Sequence, residues 1–148
     1  MSATQNPYET YNFTVAIDNV PAASFTECIL PTVSLDVVEY RQGSDEVNNV
    51  HKLPGLVRYG NLTLRRGISS SLALWNWVNA FVEGTGNMEA VTVKLLDAKR
   101  DPVIEWKFTN CWPVRYELPV LSGHTSALAI ESIEIAVDSM AMTVTGSP

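Results

Sequence analysis

The segment KLPGLVRYGNLTLRRG, Lys52 to Gly67, sets Lys52, Arg58, Arg65 and Arg66 within sixteen residues. Arg41 lies just upstream, so half of the ten lysines and arginines of a chain with net charge −6 fall in or beside this stretch. Clustered cations neutralise phosphate or complement an acidic protein surface. The acidity of the whole chain argues against general nucleic-acid binding, which draws on a basic footprint. After Arg115 the remaining 33 residues contain no Lys or Arg, but they contain Glu117, Glu131, Glu134 and Asp138. A basic loop and an acidic tail on one chain read either as two solvated faces or as head-to-tail contact between copies. Contacts of that kind close into rings or stack into filaments.

Catalytic and metal-binding residues are sparse. His51 and His124 are the only histidines, and no HExxH or zinc-type cysteine spacing occurs. Cys28 and Cys111 lie far apart and read as two reduced thiols. GTG at Gly84 to Gly86 follows a helical pattern rather than a strand, so it lacks the setting of a dinucleotide loop. Glu131 and Glu134, three apart on a strand pattern, face opposite ways and make a poor acid/base pair. No nucleophile motif such as GxSxG is present. The sequence predicts a chain that is not an enzyme and needs no metal or cofactor.

The elements that hold these residues are mostly strands. Phe13, Val15 and Ile17, then Val91, Val93 and Leu95, then Ile104, Trp106 and Phe108, then Met140, Met142 and Val144 each alternate with polar or small residues. A period of two with one apolar face marks antiparallel sheet. DAKRDP, Asp97 to Pro102, reads as a hairpin loop between two of these strands. Two strands change phase: Val33, Leu35 and Val37 give way to Val38 and Tyr40, and Leu128 and Ile130 to Ile133, Ile135 and Val137. A phase slip predicts a bulge or bend, the device by which sandwiches and small barrels turn corners. SSSLALWNWVNAFVEG, Ser69 to Gly84, is instead helical, with Leu74, Trp75, Val78, Phe81 and Val82 on one stripe. The serines before it are candidate N-caps and Gly84 a candidate stop. Ala73, Trp77 and Ala80 form a second apolar line, which makes Trp77 a candidate contact with another subunit or with a groove of its own domain.

From Gln42 to Gly60 the periodicity fades, yet Leu53, Leu56, Val57 and Tyr59 remain. Such a stretch reads as a loop or extended hairpin that docks on something. The pattern is therefore mainly β, a closed or nearly closed structure of antiparallel strands with one α-helix. At 148 residues, with 46% hydrophobic and 18% charged composition, residues 1–148 read as a single domain. No apolar run reaches the ~20 residues of a membrane helix. MSATQNPYETYN shows no secretory pattern, so synthesis and folding in the cytosol are expected.

Five stretches in order then resemble the inner-tube proteins of contractile phage tails and contractile injection systems. These are YNFTVAIDNVPAASFTEC, VVEYRQGSDEVNNVHKLPGLVRYGNLTLRRG, LWNWVNAF, VTVKLLDAKRDPVIEWKFTNCWPVRYELPVL and ALAIESIEIAV. The pattern departs from the family after IEIA, where Val137 and Asp138 replace a polar pair. The resemblance implies two packed antiparallel sheets forming a β-sandwich or barrel, with one flanking α-helix and a long extended arm loop. It implies homohexameric rings stacked into a hollow tube, a contractile sheath around it, and baseplate, spike and cap proteins at its ends. It implies protein cargo, or phage DNA, in the lumen. It also implies assembly in the bacterial cytoplasm into a particle that is released or anchored to the cell, and that meets a target membrane only when assembled. The segment from Tyr40 to Tyr59 corresponds to the family's arm to the adjacent ring, with Tyr40, Arg41, Asp45, Glu46, His51, Lys52, Leu53, Pro54, Leu56, Arg58 and Tyr59 as contact candidates. Arg65, Arg66, Trp77, Glu131, Glu134 and Asp138 are further subunit-contact candidates. Thr92, Lys94, Glu105 and Lys107 are candidates for the lumen wall, with the inward strand face left open. The competing reading is a monomeric β-barrel binding module whose basic loop holds an anion.

Overall fold

The alternating segments become strands, and all but the last bury an apolar face; in the last, Met142 and Val144 are exposed at 55% and 62% and only Met140 packs on the core. The computed structural model describes residues 12–21, 24–41, 43, 50–124 and 128–145. Its elements are β1 (Phe13–Ile17), β2 (Glu27–Ile29), β3 (Val33–Tyr40), β4 (His51–Tyr59), β5 (Leu62–Gly67), α1 (Ala73–Val82), β6 (Glu89–Leu96), β7 (Pro102–Glu117), β8 (Ile130–Ala136) and β9 (Ser139–Val144). One antiparallel sheet runs β1-β6-β7-β9 and a second runs β7-β8-β5-β2, so β7 belongs to both. The sheets pack as a sandwich and do not close into a barrel within one chain. β3 and β4 pair only with each other, as a separate two-stranded ribbon.

The sixteen residues of β7 reach both sheets because the strand bends at Asn110, which has φ +51°. Asn tolerates this left-handed backbone better than most residues. The opposite corner turns between β8 and β9, where the Asp138 amide donates to Thr109 O at 3.1 Å and the Asn110 side-chain amide donates to the Asp138 carboxylate at 3.4 Å. The DAKRDP loop closes as expected: the Asp97 carboxylate accepts the amides of Lys99 at 2.8 Å and Asp101 at 2.9 Å. Leu62, Leu64, Val91, Val93, Phe108, Cys111, Ile133 and Ile135 fill the space between the sheets.

The two phase slips have different origins. The β3–β4 pairing shifts register between Leu35 and Val37, but the extra residue lies on β4, so β3 itself alternates regularly and its apolar residues divide between two faces. In β8 the pairing with β5 runs unbroken from Leu62↔Ile135 to Gly67↔Ile130. Glu131 simply continues the buried face of Ile133 and Ile135, and the slip was a buried carboxylate rather than a bend.

The helix also differs from its sequence reading. Leu74, Trp77, Val78 and Phe81, at i, i+3, i+4 and i+7, pack inward. Trp77 is buried, donates its Nε1–H to Asn87 O at 3.2 Å and meets Phe81 edge-on, so it is not available to another subunit. The outward aromatic is Trp75, against the ring of Tyr116 at 6.1 Å. Leu72 occupies the N-cap with no side-chain cap, so the serines do not serve as caps. Gly84, at φ +81°, ends the helix in a Schellman motif, with Gly84 N–H to Phe81 O at 3.1 Å and Thr85 N–H to Ala80 O at 2.8 Å.

Candidate functional site

The β3–β4 arm is a ribbon with exposed apolar residues on both faces. β3 alternates without interruption, and the extra residue of the register shift lies on β4, where Gly55 and Leu56 together oppose Asp36. One face carries Val33↔Tyr59, Leu35↔Val57, Val37↔Pro54 and Glu39↔Lys52. The other carries Ser34↔Arg58, Val38↔Leu53 and Tyr40↔His51, with Asp36. The Tyr40 and His51 rings stack at 5.3 Å there. Tyr59 packs on the core and roots the ribbon. Beyond it Val33, Leu35, Val38, Leu53 and Val57 are all exposed, between 48% and 58%. An isolated two-stranded hairpin is marginal in water and exposed apolar surface of this extent marks an interaction surface. The second half of the aperiodic stretch is thus a strand rather than a loop, and the arm begins at Val33, upstream of the Tyr40 expected from sequence. Arg41 is exposed at the end of β3. Asp45 and Glu46 lie outside the described residues.

Two residues hold the bulge. Arg58 Nε donates to Asp36 Oδ1 at 2.9 Å and Oδ2 at 3.0 Å, and this guanidinium holds the Asp36 carboxyl below its ordinary value. Its contribution is therefore full above the ordinary carboxylate value of 3.8 and is lost as pH falls through the lower folded value. Assembly is expected to be unchanged from neutral pH down to that value and to fail only in stronger acid, which light scattering across an acid titration will show. Gly55 sits in the bulge, where an added Cβ would stand 3.1 Å from Asp36 Cβ, Asp36 O and Val38 Cγ2. Overpacking of that kind costs about 1–3 kcal/mol. Gly55→Ala is expected to raise the concentration needed for assembly about tenfold while leaving the melting temperature of the body unchanged. Sedimentation of the variant across a dilution series checks this.

The basic cluster of the sequence is dispersed by the fold. Arg58 pairs with Asp36, Arg65 with Glu27 at 2.9 Å, and Arg66 with Glu131. Arg66 and Glu131 are buried, at 4% and 3% exposure, and are therefore core residues rather than subunit contacts. Arg66 also donates to Ser71 O at 3.3 Å, and its guanidinium lies 5.9 Å from the centroid of the Phe25 ring. Tyr116 donates its hydroxyl to Glu131. Burial, then the Glu131 carboxylate, pushes the Tyr116 phenol up to about 12. Glu134 accepts from Asn61 at 3.1 Å on the polar face of the second sheet, and Asp138 is exposed at the β8–β9 corner. Among the described residues no cluster suits a metal, and burial raises both cysteine thiols to about 11, which disfavours the thiolate.

Thr92, Lys94, Glu105 and Lys107 share one face of the first sheet. The cross-strand rows are Thr14↔Lys94↔Glu105↔Thr143 and Ala16↔Thr92↔Lys107↔Ala141. The face is wholly small or polar. The two edges of this sheet, FTVAI in β1 and SMAMTV in β9, contain no charged residue and no proline. Natural edges are normally guarded by such residues. The edges of the second sheet are guarded: β2 has three residues including Glu27, and the free side of β7 presents Arg115 and Glu117. Sequence reasoning missed the bare edges because an edge is defined by which strand lies beside it. It missed Val33, Leu35 and Val38 as arm residues because β3 reads locally like an ordinary strand, and only its pairing with β4 alone among the described strands leaves them exposed.

The family model described as T4-like virus tail tube protein gp19 matches residues 9–141. A sheath–tube complex of the extracellular contractile injection system PVC in its extended state contains a chain of TM-score 0.84 and 24% identity, covering 94% of this chain and 93% of that one. The sheath/tube terminator of the same system gives TM-score 0.85 and 25% identity over 96% of this chain and 100% of that one. The cap of the anti-feeding prophage gives TM-score 0.85 and 23% identity over 98% and 96%. No curated protein matches the sequence.

Proposed function

This chain belongs to the T4-like virus tail tube protein gp19 family, and from that premise we propose that it forms the rigid inner tube of a contractile injection system. Six copies make a ring in which β1 of one copy pairs with β9 of the next. The backbone groups of both bare edges then find partners, and no edge is left to aggregate. The joined first sheets form a continuous wall, and their small and polar face, with Thr92, Lys94, Glu105 and Lys107, lines the lumen. The arm of each copy crosses to the adjacent ring, where its apolar residues are covered. Arg41 and Asp138, exposed, and Arg65 and Glu134, half-buried, remain as polar contacts around these joints.

The observation that carries this reading is the exposed apolar surface of the β3–β4 arm, which a monomer leaves in water. The solved relatives belong to sheath–tube, terminator and cap assemblies. A contractile sheath, a baseplate with its spike and a cap are accordingly proposed as partners, in a particle assembled in the bacterial cytoplasm. Contraction of the sheath drives the tube through a target envelope and delivers protein cargo.

Negative-stain electron microscopy with light scattering on the purified chain tests the reading. Rings or stacked tubes are the expected result. A monomer that persists at high concentration and with co-expressed sheath and baseplate proteins would return the chain to the binding-module reading. Particles filled with DNA would make the tube a phage tail.

A further inference from the structure

Resting on the tube reading, the polar face of the first sheet becomes the lumen wall, and its charges determine what passes. Lys94, Glu105 and Lys107 are the charged residues of the two central rows. Asp18 lies at one rim of the face, where its amide donates to Ala90 O. Glu105 stands opposite Lys94 across the β6–β7 pair and two residues before Lys107 on β7. Lys107 itself stands between Thr92 and Ala141, is exposed, and has no acidic residue directly across from it. None of Lys94, Glu105 and Lys107 is in an ion pair with another described residue, whereas Arg58, Arg65, Arg66 and Arg115 are all tied to carboxylates. The chain carries −6 in total, yet the centre of this one face holds two lysines against one glutamate.

We propose that Lys94 and Lys107 form a cationic belt on the lumen wall that receives an acidic polypeptide. Repeated around a ring, the belt places one sign of charge in excess inside a narrow low-dielectric wall, which concentrates counter-charged molecules. The same face selects against nucleic acid. It has no aromatic side chain on which a base could stack and no arginine fork for phosphate. Glu105 is interleaved between the lysines and repels a duplex that carries one negative charge per about 1.7 Å. Thr14, Ala16, Thr92, Ala141 and Thr143 supply the rest of the wall, small side chains that give an extended polypeptide nothing apolar to adhere to. Weak, screened attraction with a smooth wall suits loading followed by release.

The test uses assembled tubes of the full chain and three fluorescein-labelled probes of equal length: a Glu-Gly-Ser repeat peptide, a Lys-Gly-Ser repeat peptide and an oligothymidylate. Co-sedimentation at low salt should retain the acidic peptide about tenfold more than the basic one, and the preference should fade at high salt. Lys94→Gln with Lys107→Gln should abolish that preference in tubes of normal appearance. Lys107→Gln alone, on an exposed side chain, should weaken it if the double variant assembles poorly. Equal retention of both peptides, unchanged retention by the variants, or stronger retention of the oligothymidylate overturns the proposal while leaving the tube intact. Failure of the wild-type chain to form tubes overturns it together with the reading on which it rests.

Discussion

A chain carrying Leu53→Asp is expected to melt within about 2 °C of the wild type and to form neither rings nor tubes. Leu53 lies opposite Val38 on the arm and is 49% exposed. No other described element of the chain packs extensively on either strand of the ribbon, so the substitution removes no described contact from the core. In the assembly the same carboxylate would be enclosed against apolar surface. An unpaired buried charge costs several kcal/mol even after relaxation, and each 1.4 kcal/mol is tenfold in affinity. Every ring junction repeats the penalty. A charged position supplies the control: Lys52→Ser, across from Glu39, should shift assembly by no more than a few-fold, the ordinary scale of an exposed pair. Circular dichroism and light scattering on the two variants decide the matter. Tubes from Leu53→Asp, or equal losses from both, would mean that the arm's apolar surface is not the joint.

The second large effect concerns stability. Glu131→Ala is expected to cost about 3–5 kcal/mol, because it leaves the Arg66 guanidinium buried without its carboxylate. In a domain of this size that corresponds to a melting temperature lower by about 10 °C or more. Arg66 at 4% exposure cannot turn to water without opening the junction of β5, β8 and the segment before α1. The Tyr116 hydroxyl loses its acceptor in the same variant. Arg66→Met combined with Glu131→Leu removes both charges together and should recover most of the loss, since well-packed apolar residues often replace a buried ion pair at little cost. Denaturant unfolding of the two single variants and the pair measures the coupling. Additive single-site losses would show that the pair is not a unit. A double variant as unstable as Glu131→Ala would show that the site requires charge.

The two expectations rest on parts of the molecule that differed in legibility. Strands of period two, the helix between residues 73 and 82 and its stop at Gly84 follow from local pattern and local chemistry. The apolar residues left in the aperiodic stretch after Tyr40 pointed to a docking arm for the same reason, since hydrophobes without an internal periodicity need an external partner. The helix face was legible only in part. Trp75 and Trp77, two residues apart, point to nearly opposite sides of one helix, and only the position of the sheets makes Trp77 the buried one.

The sequence by itself determined the β-rich class, the hairpin at Asp97, the helix stop and the presence of an arm, because each depends on neighbours along the chain. Tertiary structure decided the rest, because register and burial are relations between distant strands. The apparent basic patch dissolved once Asp36, Glu27 and Glu131 arrived beside Arg58, Arg65 and Arg66. Two similar phase slips diverged: β3 alternates straight through with the extra residue on β4, and β8 carries a buried carboxylate, since only the partner strand distinguishes them. Thr92, Lys94, Glu105 and Lys107 came to share a face through the pairing of β6 with β7, and the edges of β1 and β9 are bare because no described strand of the same chain lies beyond them.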